Sequence, residues 1–140
     1  MSRPTDSVKS AQAVKRSGAL RGLFALRHSY DGFVTTIRHG SAFRQELAAA
    51  VVLVPCGLLM PLPAVERVML VSTTLLVLLV ELVNSAIEAA IDRISTERHE
   101  LSGRAKDCGS AAVTIAILIC AITWIMLCGP QLGGRLRALF

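Results

Sequence analysis

Aromatic residues and paired metal-binding motifs are scarce in this sequence. Only 4% of the 140 residues are aromatic, although 53% are hydrophobic. The four cysteines form no CxxC pair and have no ligand spacing with histidine, so we predict neither a disulfide nor a zinc site. The Walker A, protein-kinase and dinucleotide-binding motifs are missing, and the N-terminus has no cleavable signal-peptide pattern. These absences exclude the common soluble nucleotide-binding folds.

Three long apolar segments dominate what is present. A chain of this length has room for a single domain, residues 1–140. Its excess of hydrophobic residues indicates that lipid, rather than water, surrounds much of the surface. We therefore predict an all-α membrane protein with a surface segment over 1–41 and spanning helices over 42–62, 65–94 and 111–128.

Individual residues predict where these helices bend and end. Pro55 should kink the first spanning helix, and Pro61 and Pro63 should end it. Ser110 is expected to cap the start of the third helix, and the Gly-Pro pair at 129–130 to stop it. The connections between the three spans are therefore expected to be short.

Basic residues concentrate at two places in the chain. Eight of the fifteen Lys and Arg lie before position 47, and four lie between Asp92 and Asp107. The positive-inside rule then puts the N-terminus and the 92–107 loop in the cytoplasm and the C-terminus outside. Mixed apolar and basic residues over 8–27 predict an amphipathic helix on the membrane surface, with a turn at 30–32 after it.

Polar residues interrupt the cytoplasmic half of the second span. At 100° per residue they lie within about 60° of one line along the helix. An ionisable group inside a span costs about 2.5–3.5 kcal/mol, so carboxylates there usually face a bundle interior. Of the two carboxylates at 81 and 88, one can bind Mg²⁺ while the other accepts a proton from a hydroxyl. A polar stripe that only holds helices together is the alternative. The stripe consists of Glu81, Asn84, Ser85, Glu88 and Asp92.

The segment 97–107 is dense in charges of both signs, and we expect a cytoplasmic loop there. Lys106 and Arg98 could meet phosphates, while His99 and the neighbouring acids could orient a base, a ribose or a metal ion. A solvated connector between two spans would also be polar. The position of segment 97–107 directly above Glu88 favours a nucleotide site over a simple connector.

Three blocks of the sequence resemble one family. Residues 42–46 read Ala-Phe-Arg-Gln-Glu, and 81–93 read Glu-x-x-Asn-Ser-Ala-Ile-Glu-x-x-x-Asp-Arg. Residues 99–113 read His-Glu-Leu-Ser-Gly-Arg-Ala-Lys-Asp-x-Gly-Ser-Ala-Ala-Val. In order and spacing, from about Arg21 to Cys128, these blocks closely resemble the prokaryotic diacylglycerol kinases. The third block is more similar to the Gram-negative diacylglycerol kinase branch than to the undecaprenol kinases.

The resemblance implies a homotrimer in the bacterial cytoplasmic membrane with active sites between subunits. It implies transfer of the γ-phosphate of Mg·ATP to the primary hydroxyl of diacylglycerol, with no nucleic-acid partner. Glu81 matches the family's catalytic base, Asn84 its companion and Glu88 its metal-binding carboxylate. Positions matching nucleotide contacts are Arg21, Glu88, Glu97, His99, Lys106 and Asp107, to which our reasoning adds Arg98. Positions matching lipid contacts are Arg21, Phe43, Arg44, Gln45, Glu46, Glu81, Ser110 and Trp124.

The sequence departs from the family at two positions. Gly40 stands where a second metal-binding glutamate is usual, and His28 replaces an aromatic residue near the nucleotide. Water, Asp31 or Glu46 would then complete the metal shell, and we expect weaker Mg²⁺ dependence or reduced turnover. The alternatives are a polyprenyl alcohol kinase, a small ion- or drug-coupled transporter using a membrane-embedded glutamate, and an inactive relative.

Overall fold

Every regular element in the described part of the chain is an α-helix. The computed structural model describes residues 18–94 and 99–137, and divides into one compact unit that ends at Gly32 and another that begins at Phe33. The helices are α1 (Gly18–His39), α2 (Ser41–Leu59), α3 (Ala64–Ile94) and α4 (Glu100–Arg137). Helices α2 and α3 and the Glu100–Gln131 part of α4 are long and apolar enough to cross a membrane. The all-helical class and the three candidate spans are thereby confirmed.

Helix α1 contradicts the turn expected at 30–32, because the helix continues through Gly32 to His39. A glycine inside a helix costs only about 1 kcal/mol relative to alanine, and the residues on both sides of it continue the helix. Arg38 and His39 in the last turn complement the helix dipole. The part of the predicted surface helix over 8–17 lies outside the described residues.

Helix α2 follows α1 after a single residue. Gly40 has an extended backbone (φ −90°, ψ 107°) and its N–H donates to the Thr36 carbonyl at 2.7 Å. The helix contains Pro55 and ends at Leu59, three residues before the predicted end. Because the prolines at 61 and 63 cannot donate backbone hydrogen bonds, the chain turns there and α3 begins at Ala64, one residue before its predicted start.

Helix α4 is the largest correction to the sequence predictions. It begins at Glu100, so residues 100–107 form its first two turns rather than a loop, and Ser110 is an interior residue rather than an N-cap. His99 Nδ1 accepts a hydrogen bond from the Leu101 N–H at 3.2 Å, which satisfies one free donor of the first turn. The pair at 129–130 does not stop the helix, because Pro130 lies inside it. Proline is tolerated in spanning helices where neighbouring groups satisfy the backbone.

Helix α3 lies between α2 and α4, and its contacts with both run in reverse order along the partner helix. Towards α2, Leu78 packs with Phe43 and Ala50, while Leu70 packs further along, near Gly57. Towards α4, buried residues of α3 pack against Ala116, Cys120 and Cys128. Both neighbours are therefore antiparallel to α3. Many aliphatic side chains on the outer faces are exposed, as expected for surfaces that contact lipid.

Candidate functional site

At its Glu81 end, the polar stripe on α3 is buried between the packed helices. Glu81 is 5% exposed and Asn84 is 7% exposed. Ser85 and Glu88 are half-buried, and Asp92 is exposed. The stripe thus passes from the packed core to the helix end over three turns. The two most buried of these five residues, Glu81 and Asn84, are those that the sequence resemblance matches to the family's base and its companion.

Asn84 lies between Glu81 and Glu88 on the stripe. Its Nδ2 donates to Glu88 Oε1 at 3.2 Å, and Glu81 lies one turn earlier on the same helix face. Positions 81, 84, 85 and 88 are neighbours on one helix face because side chains three and four residues apart lie above one another. The structure therefore brings Glu81, Asn84 and Glu88 together, as the helical spacing predicts.

Glu46 of α2 joins this group from across the helix interface. It is close enough to Glu81 for the two carboxylates to repel, and its buried Oε2 has no hydrogen-bond partner among the described residues. From the sequence, Glu46 is predicted to be a lipid contact and an alternative metal ligand, but it is not paired with Glu81. Helix rise alone could have indicated a similar depth for the two residues, because α2 and α3 are joined by a short turn. Their facing directions could not be derived in this way.

Metal binding by Glu88 alone fits this arrangement. Within residues 18–94 and 99–137, no three His, Cys, Asp or Glu side chains converge on a point that could hold a metal ion. Mg²⁺ that arrives with a nucleotide needs only one or two protein carboxylates, because phosphate and water oxygens complete its shell. Glu88 keeps Oε2 free of the hydrogen bond from Asn84 and is half-buried, so it can provide such a ligand.

The first two turns of α4 carry Lys106, one of the two predicted phosphate-binding residues. Lys106 Nζ forms an ion pair with Asp92 Oδ1 at 2.5 Å, and both side chains are well exposed (39% and 62%). Such a pair contributes about 0–1 kcal/mol, so a phosphate can displace the carboxylate. Asp107 and His99 are exposed nearby on the chain. The side chain of Arg21 and residues 97–98, which include Glu97 and Arg98, lie outside the described residues, and their roles stay predictions.

A mostly apolar groove of about 440 Å³ extends from Glu46 towards the middle of the helices. At one end it is lined by Gln45 and Glu46, and at the other by Trp124. The Trp124 Nε1–H donates to Thr74 Oγ1 at 3.2 Å, which ties α4 to α3 along the groove. Three of the predicted lipid contacts therefore line one continuous surface.

Other predicted lipid contacts lie elsewhere. Phe43 is 0% exposed and makes an edge-to-face contact with Phe33 at a centroid distance of 5.5 Å, so in this structure its ring is part of the core and offers no surface to lipid. Arg44 Nη1 donates to the carbonyls of Ile37 and Arg38 at 3.2 and 3.3 Å, which caps the last turn of α1. Ser110 is exposed on α4.

Position 40 lies in a tight corner between α1 and α2. A Cβ atom built on Gly40 would lie 2.9 Å from the Thr36 carbonyl oxygen and 3.3 Å from Phe43 Cβ. Any side chain at this position requires a small shift of the corner. The departure from the family pattern at this position therefore has a steric consequence besides the predicted effect on metal binding.

Comparisons with known proteins show the family of this chain. A model of the prokaryotic diacylglycerol kinase family matches residues 27–128, which contain α2, α3 and most of α4. The chain is similar to the diacylglycerol kinase of Escherichia coli strain K12, with 45% identity over 117 residues, 84% of this chain and 96% of the relative. The Pseudomonas aeruginosa diacylglycerol kinase is 45% identical over 109 residues (78% and 89%), and that of Haemophilus influenzae 42% over 110 residues (79% and 93%). The chain therefore belongs to the prokaryotic diacylglycerol kinase family.

Proposed function

We propose that the inward edge of α3 is where this membrane-bound diacylglycerol kinase transfers the γ-phosphate of ATP to the primary hydroxyl of diacylglycerol, giving phosphatidic acid and ADP. The observation that carries the proposal is the burial of Glu81 and Asn84 inside a helix long enough to span a membrane, with Asn84 bonded to Glu88. Carboxylates are retained in such a place when they bind or move charge.

Family membership confirms the prediction of a diacylglycerol kinase. The relatives that match over most of their length carry that name, and the family consists of kinases that use ATP. The transporter alternative and the polyprenyl alcohol alternative have no comparable support. The roles of individual residues in the following paragraphs are part of the proposal.

Glu81 acts as the general base in this proposal. It accepts the proton of the lipid hydroxyl as the oxygen attacks the γ-phosphorus, which contributes about 10²–10⁴ in rate. Its neighbour Glu46 lines the groove together with Gln45 and Trp124, which lets the acceptor reach Glu81 from within the bilayer. Asn84 holds the Glu81 and Glu88 side chains at a fixed separation.

Glu88 and Lys106 bind the nucleotide end of the reaction. Glu88 would hold the Mg²⁺ that accompanies ATP, and a bound ion would supply positive charge beside the transferred phosphate. Lys106 leaves its exposed partner Asp92 and offsets the negative charge that develops on the transferred group. Phosphoryl transfer depends mostly on positioning and charge stabilisation, and Glu88 and Lys106 are side chains of the types that supply these effects.

We also propose the orientation and the assembly. Three spans put the two ends of the chain on opposite sides, and the basic residues before position 47 and over 92–107 place the nucleotide end of α3 in the cytoplasm. The N-terminus would then be cytoplasmic and the C-terminus periplasmic. The resemblance to the family supports a homotrimer whose subunits share the active sites, which cross-linking in membranes would test.

The test of the base is Glu81→Gln, assayed by incorporation of ³²P from ATP into diacylglycerol in mixed micelles. We expect a rate loss of about 10²–10⁴. Glu66→Gln makes the same chemical change in the first turn of the same helix, away from the polar stripe, and should leave activity within about twofold. If Glu81→Gln retains activity within a few-fold of wild type, Glu81 is not the base. Competition with undecaprenol in the same micelles reports acceptor preference.

A further inference from the structure

Gly109 on α4 is buried directly against the Asn84 side chain. A Cβ atom built on Gly109 would overlap Asn84 Oδ1 and lie 3.3 Å from its Cγ and 3.9 Å from its Cβ. All three nearest atoms belong to this one side chain. Among the described residues, the missing Cβ therefore makes room for the Asn84 side chain.

The close approach restricts the direction of the Asn84 amide. Oδ1 is enclosed against α4 and has no hydrogen-bond partner among the described residues. The nitrogen end points away from this contact and donates to Glu88 at 3.2 Å. Because the amide is planar, the placement of Oδ1 against Gly109 also determines where Nδ2 lies.

Glycine at this position needs a reason, since it destabilises a helix interior relative to alanine. Gly103, on the exposed first turns of the same helix, has no described atom within 4 Å of a Cβ position. Gly109 differs from it by being buried at the α3–α4 interface, opposite the residue that links Glu81 and Glu88. Close packing of α4 against α3 at Gly109 therefore affects the position of the Asn84 side chain as well as the fold.

We propose that Gly109 is a positioning residue for phosphoryl transfer: by lacking a side chain, it lets Asn84 lie flat against α4 and present its amide nitrogen to the carboxylates of α3. The inference deepens the proposed function and rests on it. A larger residue turns the amide about its side-chain torsions, so the hydrogen bond to Glu88 is lost. Glu81 and Glu88 then no longer keep their separation.

The test is a double-mutant cycle of Gly109→Ala and Asn84→Ala in the full chain, with Gly103→Ala as the stability control on α4. We expect Gly109→Ala to lower kcat by about 10²-fold, as a displacement of about 1 Å can, with KM for Mg·ATP and for diacylglycerol within about twofold. Its thermal unfolding temperature should fall by about 4 °C or more. Gly103→Ala should unfold no earlier than wild type.

The background variant separates this inference from the role of Asn84 itself. With alanine at position 84 the overlap is gone, so adding Gly109→Ala should cost neither kcat nor thermal stability beyond Asn84→Ala alone. If Gly109→Ala is too unstable to purify, the double variant should still purify better than the single one. Equal losses of stability in both backgrounds, or unchanged kcat in Gly109→Ala, overturn the proposal. Full activity of Asn84→Ala would instead refute the proposed companion role, whatever the stability cycle shows.

Discussion

Replacing Trp124 with phenylalanine should remove one interhelical hydrogen bond while keeping an aromatic ring in the groove. The bond runs from Trp124 Nε1 to Thr74 Oγ1 at 3.2 Å. The hydroxyl that loses this donor still donates to the Leu70 carbonyl at 2.8 Å, so no buried group is left unsatisfied on α3. Polar contacts between helices in membranes average about 0.6 kcal/mol and reach about 1.7. We therefore expect Trp124→Phe to lower the unfolding free energy by about 0.6 kcal/mol.

Replacing the acceptor of this bond, Thr74→Val, should lower the unfolding free energy more than Trp124→Phe does. It keeps the shape of the side chain but leaves the half-buried Trp124 N–H without its acceptor, which costs about 1–3 kcal/mol. Combining Thr74→Val with Trp124→Phe removes both partners, so the double variant should be more stable than the sum of the two losses predicts. The coupling free energy then measures the bond itself.

Equilibrium unfolding in mixed micelles titrated with dodecyl sulfate gives these free energies. Trp124 is the single tryptophan, so its fluorescence is lost in the phenylalanine variants and far-UV circular dichroism has to follow helix content instead. Additive losses in the cycle would show that the hydrogen bond contributes nothing, and Trp124→Phe costing more than Thr74→Val would refute the argument from unsatisfied donors.

Phenylalanine and alanine at position 124 together distinguish two roles for Trp124. If the ring lines the lipid groove, Trp124→Phe should leave KM for diacylglycerol within about twofold, since the apolar surface is retained. Trp124→Ala should raise that KM and cost about 3–5 kcal/mol of stability. An unchanged KM in Trp124→Ala would mean that Trp124 only holds the helices together.

Two further predictions concern the nucleotide end. Gly40→Ala measures the steric cost of a Cβ beside Thr36 and should lower the unfolding temperature by a few degrees, whereas Gly40→Glu should in addition tighten apparent Mg·ATP affinity by about tenfold relative to Gly40→Ala; identical Mg²⁺ titrations of the two variants would contradict this. Asp92→Asn releases Lys106 from its exposed ion pair and should tighten Mg·ATP binding by up to about fivefold. Weaker binding in that variant would show that Asp92 orients Lys106 instead of competing with phosphate.

The spans and the polar stripe follow from local patterns of the sequence. Apolar runs predict the three spanning helices, and the 100° helical repeat predicts that Glu81, Asn84 and Glu88 share one edge. Both inferences depend only on residues near one another in the chain. The start of α4 is a limit of such reasoning, because charged residues over 100–107 suit a polar loop and an exposed helical turn equally well.

Contacts between helices were decided by the tertiary structure. The burial of Phe43, the approach of Glu46 to Glu81 and the contact of Gly109 with Asn84 depend on how each helix is rotated and shifted against its neighbour. Those parameters come from the packing of many side chains at once, across residues far apart in sequence. The sequence by itself therefore determined which helix carries the proposed site, and the packing of α2 and α4 against α3 decided which residues lie against it.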